Sequence, residues 1–284
     1  MVAESNKRFD RLIKLLEEVV GQEDVFGLGD LQVNVMPPNK LTYSFLSNPD
    51  KIAEFNRWLQ EQIEKGLIEV SEWEQLGKSY QSSWQNKYIT DSYRRGVLRG
   101  RIEMKRAGYK FPDAEIADVM SVPLHIETLG LLYIRAFSEL KGITAQMEQI
   151  ISRILAQGLA DGENPIVLAK RLVAVINGKG IGDLGLTDTL GRFIPARRRA
   201  EILARTEIIR AHHQAMMNEY KNWGVLGVHV KAEFRTAGDS RVCSICAGLE
   251  GQIFTLDEIM NMIPVHPQCR CIALPVIVKN TKNK

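Results

Sequence analysis

Apolar residues recur at three- and four-residue intervals through about the first two thirds of the chain, and at two-residue intervals only near its end. The pattern predicts a helical body followed by a small α+β unit. Leu12, Leu15, Leu16 and Val19 mark one face of a helix over residues 5–20, and the glycines and prolines of residues 21–40 break it into a loop or arm. Asn48-Pro49-Asp50 reads as a helix start, with Asn48 as the cap and Pro49 in the first turn; Ile52, Phe55, Leu59 and Ile63 then form a buried face up to Gly66. Tyr80, Trp84 and Tyr88 repeat every fourth residue and lead into a helix expected over residues 79–107. Leu129, Leu132, Tyr133, Ala136, Phe137 and Leu140 make another apolar stripe, expected to stop at Gly142. Helices are further predicted over residues 144–159 and 164–177, the second opened by Pro165 and closed by Gly178, and over residues 195–223, stopped at Gly224.

After Gly224 the texture changes. Val228, Val230, Ala232 and Phe234 alternate with His229, Lys231 and Glu233, which predicts a half-buried strand. Short strands are expected over residues 252–255 and 272–278, around a short helix over residues 256–262. The predicted organisation is therefore a helix and extended arm over residues 1–46, a helical body over 47–178, a glycine-rich connector over 179–194, and a long helix with the α+β unit over 195–284. A sheet this small buries little by itself, and a bound metal is a common remedy.

The chain supplies ligands for one. All four cysteines fall near the end, as Cys243-Ser244-Ile245-Cys246 and then His266-Pro267-Gln268-Cys269-Arg270-Cys271. A CxxC on a tight turn aims two thiolates at one point, and His266 with Cys269 repeats that spacing, which can close a tetrahedron around Zn²⁺. In an extended segment Cys269 and Cys271 share one face, with Arg270 on the other. Cys243, Cys246, His266, Cys269 and Cys271 thus compete for the four positions of a structural zinc site. A thioredoxin-like reading of the CxxC wants the motif to open a helix within a βαβ pattern, which the surrounding sequence does not suggest. Disulfides are not expected either, because nothing resembling a secretory signal opens the sequence and the chain is expected to be made in a reducing cytoplasm. A hydrolytic zinc needs an open position and an acid or base; the glutamate of the deaminase pattern is missing beside His266, and the ligand surplus favours a closed site.

The chain has 284 residues, 45% of them hydrophobic and 25% charged, with a net charge of +3, and no apolar run approaches the eighteen or so needed to span a membrane. Charge is unevenly spread. Residues 54–74 are acidic, whereas Arg94, Arg95, Arg99, Arg101, Lys105 and Arg106 give the helix expected over 79–107 a broad basic face that could neutralise DNA phosphates. A solvated helix, or one docked on the chain's own acidic stretch, explains that face slightly better, since aromatic interleaving and a groove-reading motif are both missing. Gly180-Ile181-Gly182-Asp183-Leu184-Gly185 matches a dinucleotide fingerprint formally, but it follows a helix rather than a strand and reads as connector.

Three motifs, in order, resemble the signature of the phage Mu protein F-like minor head proteins. They are residues 204–211 (Ala-Arg-Thr-Glu-Ile-Ile-Arg-Ala), residues 237–246 ending in the CxxC with Leu249-Glu250-Gly251, and residues 263–271 (Ile-Pro-Val-His-Pro-Gln-Cys-Arg-Cys). Phe55-Asn56-Arg57-Trp58-Leu59 and Trp84-Gln85-Asn86-Lys87-Tyr88-Ile89 are similar to segments of longer members, extending the resemblance over nearly the whole chain. The resemblance implies a non-enzymatic minor component of a tailed-phage head, incorporated during procapsid assembly near the portal or the capsid interior. Portal protein and major capsid protein are the implied partners, with packaged double-stranded DNA as a further one. It also implies location in the virion head, and it carries the ligand role to the five Cys and His residues individually. Around them, Asp239 is expected to fix the turn before the CxxC, Arg241 and Arg270 to offset thiolate charge, and Glu207 to pair with one of those arginines. His212 and His213 lie about 100° apart on a helix and read as ordinary helix residues. The competing readings are a DNA-binding protein ejected with the genome and a zinc-dependent toxin-like effector.

Overall fold

Helices dominate the computed structural model, which describes residues 1–27, 48–75, 78–109, 116–178, 193–225 and 228–278. In chain order its elements are α1 (Val2–Leu16), α2 (Asn48–Gln62), the strands β1 (Val70–Gln75) and β2 (Lys78–Ser83), α3 (Asn86–Arg106), α4 (Ile116–Met120), α5 (Pro123–Ala160), α6 (Pro165–Asn177), α7 (Ala196–Val225), β3 (Val230–Arg235), α8 (Ser244–Leu249), β4 (Ile253–Phe254), α9 (Leu256–Met260) and β5 (Ile272–Ile277). Most of the expected arm beyond Gly27, and all of the Gly180 to Gly185 stretch of the connector, lie outside the described residues. Two compact units emerge: Met1–Trp84 with Phe137–Glu201, and Gln85–Ala136 with Ile202–Lys284. Helices α5 and α7 each contribute residues to both.

In the first unit, α1 continues into a π-helical stretch over Glu17–Gln22 and α2 into another over Ile63–Ile68. Phe9, Leu12, Leu16 and Val20 from the first and Phe55, Leu59, Ile63 and Leu67 from the second are buried, joined by Met147, Ile151, Ile154 and Leu155 of α5 and Leu168, Leu172 and Ile176 of α6. Arg8 is the polar tie: its guanidinium donates to the Gly66 carbonyl at 2.8 Å, pairs with Glu69 and lies over the Trp84 ring at 4.8 Å. Asn164 caps α6 as expected, its side chain accepting the Ile166 N–H at 2.9 Å with Pro165 in the first turn.

Two expectations change. Gly142 does not end a helix, because the apolar stripe continues in phase through Leu140, Ile143, Met147 and Ile150, all buried, and this burial outweighs about 1 kcal/mol of glycine propensity. Residues 79–83 are strand rather than the start of the basic helix: β2 pairs antiparallel with β1, Val70 opposite Ser83 and Trp73 opposite Tyr80. These strands are largely polar and lack an alternating apolar pattern, so the period-four recurrence of Tyr80, Trp84 and Tyr88 misled.

The second unit is organised on α7. From Ala215 to Tyr220 every residue is buried. Ala211 and Ala215 join Ile89, Tyr93 and Val97 of α3 and Leu129, Leu132 and Ala136 of α5 in one apolar cluster. Met216, Met217, Tyr220 and Trp223 join Ala232, Phe234, Ile259, Ile263, Ala273, Cys246, Cys269 and Cys271 in another. The sheet in this second cluster is antiparallel in order β4-β3-β5, with Ala232 opposite Phe254 and Pro275. Thr255 and Glu258 form a capping box at the start of α9.

Between the helices runs a buried polar network. Asn218 donates to the Tyr93 hydroxyl and to Thr128 Oγ1, both at 2.9 Å. The Tyr93 proton therefore goes to His125 Nδ1 at 2.8 Å, and the His125 Nε2–H donates to Glu219 Oε1 at 3.1 Å. Burial pushes the Tyr93 phenol up to about 12.

Close approach of α3 to α7 rests on two glycines. A Cβ on Gly96 would meet the His212 carbonyl oxygen at 2.3 Å and the Ala215 Cβ at 2.7 Å, and one on Gly100 the Glu219 Cβ at 3.0 Å. Gly96→Ala is expected to lower stability by about 1–3 kcal/mol in chemical denaturation despite the better helix propensity of alanine, with Gly100→Ala milder. A Gly96→Ala protein as stable as the parent would refute this packing.

Candidate metal centre

The first third of α7, the turn before α8 and the loop before β5 are drawn together by hydrogen bonds between the three sequence motifs. Arg205 donates to Gln268 Oε1 at 2.8 Å, and the Gln268 N–H donates to Thr206 Oγ1 at 3.1 Å. These bonds hold Gln268 in the left-handed region, φ 63°, and so turn the chain between His266 and Cys269, whose N–H closes on the His266 carbonyl at 3.1 Å. Asp239 ties the second motif to the third. It takes a two-pronged contact from Arg270, both bonds 2.6 Å, and it also accepts the Arg241 backbone N–H at 3.0 Å and the Arg241 guanidinium at 3.1 Å. This arginine environment, Arg270 foremost, holds the Asp239 carboxyl well below the usual carboxylate range.

Cys243 caps α8, its Sγ accepting the Cys246 N–H at 3.4 Å. The helix-opening half of the redox-motif geometry is therefore present, although the neighbouring sheet is antiparallel and no βαβ unit surrounds it among the described residues. His266 Nε2 lies 3.3 Å from both Cys243 Sγ and Cys246 Sγ. Its Nδ1 is 2.9 Å from the Pro267 carbonyl, so Nδ1 carries the proton and Nε2 presents its lone pair to the sulfurs. Cys243, Cys246 and His266 form one group whose ligand atoms all lie within 4.8 Å of one another, and Cys246, Cys269 and Cys271 form a second. Cys246 belongs to both. Together the five side chains make a cluster that can hold a metal ion, and Cys243, Cys246, His266 and Cys271 line a cavity of about 30 Å³ within it. The Cys246 backbone N–H lowers the Cys243 thiol, whereas burial raises Cys246 and pushes Cys271 up to about 11. A divalent cation removes that conflict by ionising the thiols it binds.

Residues 149–274 match the family model described as phage Mu protein F like protein, less than half of the chain but including all three motifs. Over that span the chain is similar to the phage Mu protein F like family. No curated protein and no solved structure was matched. The resemblance expected for the N-terminal half lies outside the matched residues.

Within the Mu F-like span, Glu207 departs from expectation. It is 2% exposed, so it is not a solvated helix carboxylate, and its Oε1 accepts from Arg135 at 3.2 Å and Arg210 at 3.3 Å rather than from Arg241 or Arg270. The links from Arg205 and Thr206 to Gln268 have no counterpart in the sequence reading, because nothing in the sequence signals which loop a helical side chain will meet. His213 is a second surprise. It is 2% exposed, its Nε2–H donating to the Ile259 carbonyl at 2.9 Å and its Nδ1 buried without a partner. With His212, Ile209, Arg270, Cys271 and Ile272 it lines a cavity of about 200 Å³.

Before the Mu F-like span, the basic residues of α3 are partly neutralised by their own helix. Arg95 pairs with Asp91 at 3.1 Å, and Glu103 takes both Arg99 at 2.6 Å and Arg106 at 2.9 Å. Arg94 and Lys105 are exposed and Arg101 is half-buried. Among the described residues no helix is long and apolar enough to cross a membrane.

Burial, with smaller contributions from His212 and Arg210, lowers His213 from 6.5 to about 4, while the Ile259 carbonyl opposes the shift. The folded chain then binds a proton less readily than the unfolded one. The His213 contribution is complete above pH 6.5 and is lost as the pH falls towards 4, by on the order of 3 kcal/mol in all. Unfolding midpoints at pH 7 and pH 4.5 check this: the difference between parent and His213→Gln should narrow sharply at the lower pH, and a constant difference would refute it.

Proposed function

We propose that this chain is a minor structural protein of a tailed-phage head, incorporated during procapsid assembly near the portal or the capsid interior, and that a structural Zn²⁺ staples its C-terminal unit. The match to the phage Mu protein F like family over residues 149–274 supports the coarse part of this reading, which is phage head morphogenesis. The observation that supports the rest is the convergence of the three motifs, through Gln268, Asp239 and the Cys/His cluster, on one metal-sized site. Five candidate ligands for four positions make a closed centre, which holds a fold together rather than activating a substrate. The sheet beside it is three-stranded with a two-residue edge strand, β4, too little to support itself without help. Portal and major capsid proteins are the partners in this reading, and the virion head is the location.

Quantitative mass spectrometry of particles before and after DNA ejection, with the portal protein as copy-number standard, tests the assignment. A few copies per portal that stay behind are expected. Loss together with the DNA would replace it with a DNA-associated ejected protein, and absence from particles would favour an effector.

The staple has its own test. Chelation, or Cys246→Ser, is expected to lower the melting temperature and remove strand signal from the circular dichroism spectrum, with no additional effect of chelator on the variant. Identical melts of parent protein with and without chelator would eliminate the structural zinc.

A further inference from the structure

Five side chains surround the centre, but a tetrahedral zinc uses four, and the geometry separates them. We infer that Cys243, Cys246, His266 and Cys271 are the ligands and that Cys269 stays outside the coordination sphere as a buried thiol. The inference rests on the zinc reading above and assigns its ligand set.

Three observations carry it. First, the cavity at the cluster, about 30 Å³ and thus sized for one ion, has Cys243, Cys246, His266 and Cys271 as its ligand-bearing walls among the described residues. Second, the two candidate fourth ligands differ in their freedom to move. Zn–S bonds of about 2.3 Å set sulfur–sulfur edges of about 3.8 Å, so the ligand that joins Cys243, Cys246 and His266 must swing inward. Cys271 is 8% exposed and borders both this cavity and the 200 Å³ cavity beside α7, so space lies on two sides of it. Both cysteines belong to the apolar cluster with Phe234, Ile263 and Ala273, but Cys269 is 1% exposed and lines neither cavity, so moving its sulfur would open a void.

The third observation is the imidazole. A site of four thiolates would leave the His266 lone pair, 3.3 Å from both Cys243 Sγ and Cys246 Sγ, without a use.

The test uses the full chain loaded with zinc for X-ray absorption and with Co²⁺ for optical titration. Absorption at the zinc edge should count three sulfurs and one nitrogen; four sulfurs would overturn the assignment. In cobalt titrations Cys269→Ala should keep one ion per chain with affinity within about threefold of the parent, whereas Cys271→Ala should lose at least about 100-fold. Cys271→His should recover binding with a spectrum poorer in sulfur, which separates loss of a ligand from loss of fold. Metal loss in Cys269→Ala with retention in Cys271→Ala, or equal losses in both, would overturn the choice of Cys271. A parent chain that binds neither cobalt nor zinc would instead remove the zinc reading itself.

Discussion

Between Ala211 and Tyr220, helix α7 has almost no face left for water, and that constraint organises the second unit. An ordinary surface helix spends one stripe on a core and leaves the rest solvated. Here alanines serve the contact with α3 and α5, while methionines, tyrosine and tryptophan serve the contact with the sheet and the cysteine cluster. Small residues on one side and large ones on the other let helices approach closely at one contact and fill a wider space at the other. Gly96 and Gly100 are the complement of that choice on α3.

The cysteine-rich centre is the complementary device. Its loops have little regular structure to hold them, so polar bonds between motifs do that work. Gln268 is fastened to α7, Arg270 to Asp239, and Asp239 to the turn leading into the CxxC. A metal arriving at such a site finds its ligands gathered already, and loses less free energy to ordering them than it would with free loops. The clamp also places cationic groups close to the sulfurs, where thiolate charge would otherwise be poorly balanced.

Much of this was legible in the sequence where one physical signal dominated. Asn164 with Pro165 marked a helix start, alternation from Val228 to Phe234 marked a strand, and the Cys and His spacing marked a cluster. The signal failed where two effects competed. Gly142 looked like a stop because propensity is local, whereas the burial that overrides it comes from residues elsewhere in the chain. The β1–β2 hairpin stayed hidden because its polar strands carry no apolar alternation. His213 was read as an ordinary helix residue, and Glu207 was given the wrong arginines, because a helix pattern tells which residues share a face, not which face meets protein on every side. The partner of Glu207, two arginines from helices, follows from packing that no spacing encodes.

The hydrogen-bonded chain of Asn218, Tyr93, His125 and Glu219 has a consequence of a different kind. Glycine and alanine surfaces are smooth, and two helices meeting through them can slip by one turn, about 5.4 Å, with little loss of apolar contact. A slipped arrangement would strand an imidazole, a phenol and a carboxylate in a dry interior, each short of its partner. The network therefore acts as a key for axial alignment: it discriminates among arrangements that hydrophobic burial alone would leave nearly degenerate. That uniqueness is a gain separate from whatever the network adds to total stability.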